Sequence, residues 1–387
     1  MSRLGTESAF EVLSRAQALE AEGRRIVHLE IGEPDFDTPP HVVAAAEQAL
    51  ADGHTHYVPS PGIRPLREAV ADHLRQVGRL AADPEQVVIT PGAKPVMFFS
   101  MLALCEPGDE VIYPDPGFPM YESIAAFTGA TPVPLPLREQ NDFRVDVDEL
   151  AGLVTPRTKL LVLNSPHNPC GSLLTEADVH GIARIAVDND LVVLTDEVYS
   201  SLSYDSSCPS VLDVDGMPER TILLDGWSKT FAMTGWRLGY GVFPPELVEP
   251  ISRLVVNSVS CVPAFCQYAA MAALTGPWDA VTRMREEFRT RRAVIVDGLN
   301  AIDGVSCRPP GGAFYAFANV RDLGQPAATL ADDLLQHAGV ACLPGTAFGA
   351  AGEGFLRLSY ANSVDNLRTA LSAIDDHTKA IRTRGES

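Results

Sequence analysis

Two cations stand eight positions apart just beyond a short apolar run. They are Lys229 and Arg237 in DGWSKTFAMTGWRLG, which follows TILLD. An amine becomes a usable nucleophile when desolvation and neighbouring cations draw its proton off near neutral pH. An arginine fork grips a phosphate through two parallel hydrogen bonds. Other apolar runs are likewise followed by residues fit for chemistry. QVVIT (86–90) leads into PGAK, where the backbone N–H groups of Gly92, Ala93 and Lys94 open a helix and offer an anion cradle. EVIYP (110–114) is followed by Phe118, a flat apolar face for an aromatic ring. KLLVLN (159–164) leads to Asn168, and LVVLT (191–195) to Asp196 and Tyr199. Ser228 adjoins Lys229.

Together these residues describe one ligand. The anion cradle, Ser228 and Arg237 suit a phosphate, and Phe118 suits a stacked ring. Asp196 at the rim of an apolar strand suits a protonated ring nitrogen. Tyr199 and Asn168 can donate to a ring oxygen, and Lys229 can condense with an aldehyde. A phosphorylated pyridine aldehyde with a phenolic oxygen is pyridoxal 5'-phosphate. Each residue alone has a plainer reading: Asp196 as a helix cap, Phe118 as core, Tyr199 as packing on a helix face, Lys229 and Arg237 as solvated loop cations. The acidic strand end LVVLTDE also suits a nucleotide hydrolase, but G-x-x-x-x-G-K-[ST] is missing, and so is the dinucleotide pattern G-x-G-x-x-G.

The elements that must position these groups are short buried strands: the runs above together with TILLD (221–225) and LGYGVF (238–243), all read as parallel. Helical patterns such as TEADVHGIARIAVDN lie between them, so the fold class is α/β, a mostly parallel sheet covered by helices on both faces. In such sheets ligands bind at the carboxyl ends of the strands, where the polar residues collect. After the charge-rich helical stretch PWDAVTRMREEFRTRRAVIVDGLNAI the segments shorten, which suggests a smaller α/β domain. The expected division is an N-terminal segment over 1–45 packing on the small domain, a large domain over 46–285 and a small domain over 286–387.

The chain has 387 residues and a formal net charge of −20, against the clustered cations that nucleic acid or an anionic membrane requires. Seven cysteines without a C-x-x-C pair fit neither a disulfide framework nor a zinc site, so no metal is expected. No run is long enough to span a bilayer, and the N-terminal stretch has no signal-peptide core; a cytoplasmic location is expected.

LEIGEPDFDTPP, HYVPSPGIRPLREAV, NSPHNPCG, TDEVY, SKTFAMTGWRLGY and FLRLSYAN carry a further signal along nearly the whole chain. In combination they resemble the aspartate-aminotransferase family, the fold-type I, class I pyridoxal-phosphate enzymes. The resemblance implies that Lys229 is the Schiff-base lysine and Asp196 the partner of the pyridine nitrogen, with Tyr199 and Asn168 on the ring hydroxyl. It implies that Arg237 and Ser228, with the turn Gly92–Lys94, hold the phosphate. Arg357 would bind the substrate α-carboxylate, and Gly32 would close over substrate through its backbone. It further implies a homodimer in which Tyr57 reaches the phosphate of the neighbouring site. Two positions depart from the pattern: Gly226 where some branches carry a hydroxyl residue, and Cys170 where threonine is common.

The implied reaction moves an amino group from an L-amino acid to a 2-oxo acid by a ping-pong route. Lys94 sits where a related branch uses a lysine for a distal carboxylate, which favours an aspartate- or glutamate-like donor. Lys94 could instead serve the phosphate turn or face solvent, and Glu11 could favour a basic donor. Elimination, replacement, cyclisation or oxidation of an amino acid on the same fold stays open, as does a non-catalytic regulator.

Overall fold

The computed structural model describes residues 4–79 and 82–385. Seven strands form the larger sheet: β1 (Val87–Thr90), β2 (Glu110–Asp115), β3 (Thr131–Pro136), β4 (Thr158–Asn164), β5 (Val192–Asp196), β6 (Thr221–Gly226) and β7 (Gly239–Val242). Their order across the sheet is β1-β7-β6-β5-β4-β2-β3. Helices cover both faces, so the inner strands read as unbroken apolar runs; every residue of β1, β2 and β7 is buried.

Two strands differ from the sequence expectation. LGYGVF does form a strand, but β7 runs antiparallel to both β1 and β6. The segment joining β6 to β7 holds only the short helix Trp227–Thr230 and a 3₁₀ turn, Thr234–Trp236. That is too little to cross over the sheet, so the chain turns straight back. Gly226 pairs with Gly239 as a result, and Lys229 and Arg237 emerge at the same end of the sheet. The second difference is β3, TPVPLP, a strand that is not among the runs read from sequence, since proline suits a strand interior poorly. It is an edge strand. Thr131 N–H donates to Asp109 O (2.8 Å) and Leu137 N–H to Asp115 O (2.7 Å), so the odd-numbered positions face β2. The even positions, all proline, turn toward the open edge, where a missing N–H costs nothing and blocks further pairing.

The second sheet is antiparallel, with Leu343–Pro344, Phe355–Ser359, Tyr315–Asn319 and Ser306–Cys307 in spatial order. Four helices matter for the site and its support: α1 (Ser8–Ala21), α2 (Lys94–Leu104), α3 (Asp279–Asn300) and α4 (Val364–Gly385). Phe288 of α3, Phe314, Tyr360 and Leu367 of α4 share one buried cluster behind this sheet. A short N-terminal strand, Val27–His28, pairs in parallel with Val340–Ala341. Ala16 of α1 packs there against Ile26, Leu335 and Ala341. All seven cysteines are free thiols. Among the described residues no helix is long and apolar enough to cross a membrane, and no cluster of ligating side chains could hold a metal.

Candidate active site

The carboxyl ends of β1, β4, β5 and β6 open into a cavity of about 580 Å³, closed from the other side by Ile31, Gly32, Tyr315 and Arg357. Its floor is Asp196, the last residue of β5. One carboxylate oxygen accepts from the Tyr121 hydroxyl (2.7 Å) and the other from the Val198 N–H (3.3 Å). Burial pushes this carboxyl up to about 6, against the pull of those two donors. Lys229, one turn beyond β6, donates from Nζ to the Gly32 carbonyl. Burial lowers its amine to about 8, helped by Arg357 and Lys94 and opposed by Glu33 and Glu7.

One wall carries the amide and phenol groups. Asn164 ends β4, and its side chain donates to the Asp196 carbonyl (2.9 Å) while its oxygen accepts the Asn168 N–H (2.8 Å). The Asn168 side-chain oxygen accepts from Arg357 Nη1 (3.2 Å), which leaves its NH₂ group to donate. The Tyr199 and Tyr315 hydroxyls are hydrogen-bonded at 2.7 Å. Burial holds the Tyr199 phenol well above its ordinary range, so it stays protonated. Arg357, buried in strand Phe355–Ser359, lies between the rings of Tyr315 (4.5 Å) and Phe348 (4.8 Å). It also donates to the Glu30 carbonyl, and its Nε has no partner.

The opposite end is the turn into α2. Gly92 has φ +89°, and a Cβ there would fall 2.2 Å from Arg237 Nη2. The Gly92 N–H donates to the Thr90 carbonyl (2.8 Å). Gly92 therefore does not supply an N–H to the anion cradle, as expected from sequence; it supplies room for the guanidinium. Ala93, the N-cap of α2, and Lys94 line the cavity beside Ser228 and Arg237. Gly226 and Gly239 bring the three strands together beneath this turn: a Cβ on Gly239 would lie 2.4 Å from Ala93 N, and one on Gly226 2.9 Å from Gly239 Cα. A side chain at Gly226 has no space in this arrangement. Phe118 stands on the rim, edge-on to Tyr121, with Lys94 Nζ 5.4 Å from its ring centre.

Eleven residues named from sequence thus line one cavity: Gly32, Ala93, Lys94, Phe118, Asn168, Asp196, Tyr199, Ser228, Lys229, Arg237 and Arg357. Tyr57 lies apart and is 87% exposed. Glu11 is also exposed and is not in the lining; from the same segment Glu7, Ala9 and Phe10 are. Sequence reasoning missed Tyr121, Asn164, Tyr315, Glu7 and Glu33. Asn164 closes an apolar run and Tyr121 stands three residues past Phe118 at the start of a helix, so both left a signal. Tyr315 left none, because it arrives from the second sheet.

The family model for aminotransferase class I and II matches residues 24–374. This chain belongs to that family. The aminotransferase is 42% identical to an aspartate aminotransferase of Pyrococcus abyssi, over 90% of this chain and 91% of that one. It is also 42% identical to aromatic-amino-acid aminotransferase 2 of Thermococcus litoralis, over 93% and 92% of the two chains. The solved structure of Thermus thermophilus aspartate aminotransferase with maleate superimposes with a TM-score of 0.93 at 37% identity, covering 97% of this chain and 98% of that one.

The aminotransferase is therefore a pyridoxal-phosphate-dependent enzyme of fold type I. The residues present fit that cofactor. The space above Gly92 admits a guanidinium beside an open helix start, and a half-buried amine and a buried carboxylate line the same cavity. When bound, the cofactor supplies an electron sink for the bond broken at the amino acid's Cα.

Proposed function

We propose that this enzyme transfers the amino group of an L-amino acid, with acidic side chains favoured, to a 2-oxo acid such as 2-oxoglutarate in two half-reactions at one site. In this reading Lys229 carries the cofactor, removes the substrate's α-proton with its freed amine and later returns it. Asp196 keeps a proton on the pyridine nitrogen, with Tyr121 fixing the carboxylate from behind. Tyr199 and Asn168 donate to the ring oxygen. Ser228, Arg237 and the backbone at Ala93 and Lys94 hold the phosphate. Arg357, its Nε free, takes the α-carboxylate, and the Gly32 backbone closes over it. Lys94 then faces a distal carboxylate.

The carrying observation is the amine of Lys229, half-buried and lowered to about 8 in a cavity that also holds Asp196 and Arg357. The same reading takes 46–285 as the cofactor-holding unit and 1–45 with 286–387 as the smaller one, which carries Gly32 and Arg357. The pairing of Val27–His28 with Val340–Ala341 supports that division. The free thiols suit a reducing, cytoplasmic setting.

The test is a single half-reaction. Holoenzyme mixed with aspartate alone should release one keto acid per site and pass to the amine form of the cofactor. Steady-state double-reciprocal plots against both substrates should be parallel. Ammonia or another leaving group in place of that stoichiometric keto acid would move the assignment to elimination or replacement chemistry.

A further inference from the structure

Lys94, the cation that would meet a distal carboxylate, already has a carboxylate on it. Its ammonium is ion-paired with Glu7, and both side chains line the cavity. Glu7 is the N-cap residue of α1, but its side chain makes no cap hydrogen bond and turns to Lys94 instead. Glutamate is not among the side chains that cap a helix start well, so nothing local competes with Lys94 for this carboxylate. The pair sits among apolar neighbours: Phe118 beneath Lys94, with Phe10, Met97 and Ile31 around the same space. Phe10 is 61% exposed while bordering the cavity, so α1 forms part of the mouth.

On the reading proposed above, we infer that Glu7 is a specificity-determining residue, an internal substitute for the substrate's distal carboxylate on Lys94. With an aromatic or aliphatic donor the Glu7–Lys94 pair stays closed. The charge is then neutralised within the protein, and the donor side chain meets Phe118, Met97 and Ile31. With an acidic donor the substrate carboxylate replaces Glu7 on Lys94, and Glu7 swings toward water with the start of α1. The Lys94 side chain is 50% exposed and that of Glu7 18%, so the pair is held weakly enough to exchange. A buried pair would resist replacement. One site thus serves two classes of side chain, and Glu7 sets the ratio between them.

The test compares kcat/KM for aspartate with that for phenylalanine in the holoenzyme, its Glu7→Gln variant, Lys94→Gln, and the double variant. Glu7→Gln should raise the aspartate-to-phenylalanine ratio roughly two- to fivefold, the scale of an exposed ion pair. In the Lys94→Gln background the same substitution should leave the ratio unmoved. Glu7→Asp, one methylene shorter, should fall between, and cofactor absorbance checks that each variant is folded and loaded. An unchanged ratio in folded Glu7→Gln, or an equal change with Lys94 absent, would overturn the inference. Failure of transfer from both donors in the unaltered enzyme would instead remove the function on which it rests.

Discussion

The amine of Lys229 makes a prediction that needs no substrate. Its folded value is about 8 against an ordinary 10.5. Between those limits the unfolded chain still holds a proton that the folded chain has released, so stability rises with pH through that window. Below about 8 the folded protein keeps a charged amine in a buried place and bears the whole cost. The cofactor-free enzyme and its Lys229→Met variant should therefore differ in their pH dependence. Urea unfolding should show the variant's advantage shrinking by roughly 3 kcal/mol between pH 8 and 10.5, at 1.36 kcal/mol per unit. Parallel curves would mean that the amine is solvated. Lys229 was legible in sequence because it stands one short turn past an apolar run, and Asp196 because it directly follows one. Glu7 was not: nothing in TESAF distinguishes an acid that turns into a cavity from one that faces water.

At the scale of elements, the parallel core was legible because strands covered on both faces carry no alternation, only runs such as VVIT and KLLVLN. The antiparallel return of β7 was not, since an apolar run does not state its direction. The short connection from Gly226 to Gly239 carried that information. The strand β3 was hidden by its prolines, and their phase is testable. Val133 stands on the odd-numbered register whose N–H groups face β2. Val133→Pro should cost about 3 kcal/mol by urea unfolding, through a lost ladder bond and a strand forced apart. Pro134→Val should leave stability within about 1 kcal/mol but unblock the edge, and light scattering should then report concentration-dependent association. Equal losses from both would disprove this register.

For the whole molecule, the homodimer that the family resemblance implies would give Tyr57 its place. A tyrosine 87% exposed on one chain is ordinary surface unless a second copy covers it. Sedimentation should give twice the chain mass. Tyr57→Ala should weaken cofactor affinity by roughly tenfold, the loss of one hydrogen bond to a charged group, while leaving the cofactor-free dimer intact. A monomer with full cofactor affinity would set Tyr57 aside. The pairing of Val27–His28 with Val340–Ala341, where Val27 N–H donates to the Gly339 carbonyl and Leu29 N–H to that of Ala341, reaches beyond the finished enzyme. A ribosome releases Val27–His28 long before Val340–Ala341, so this pairing forms only after the larger sheet between them has been synthesised.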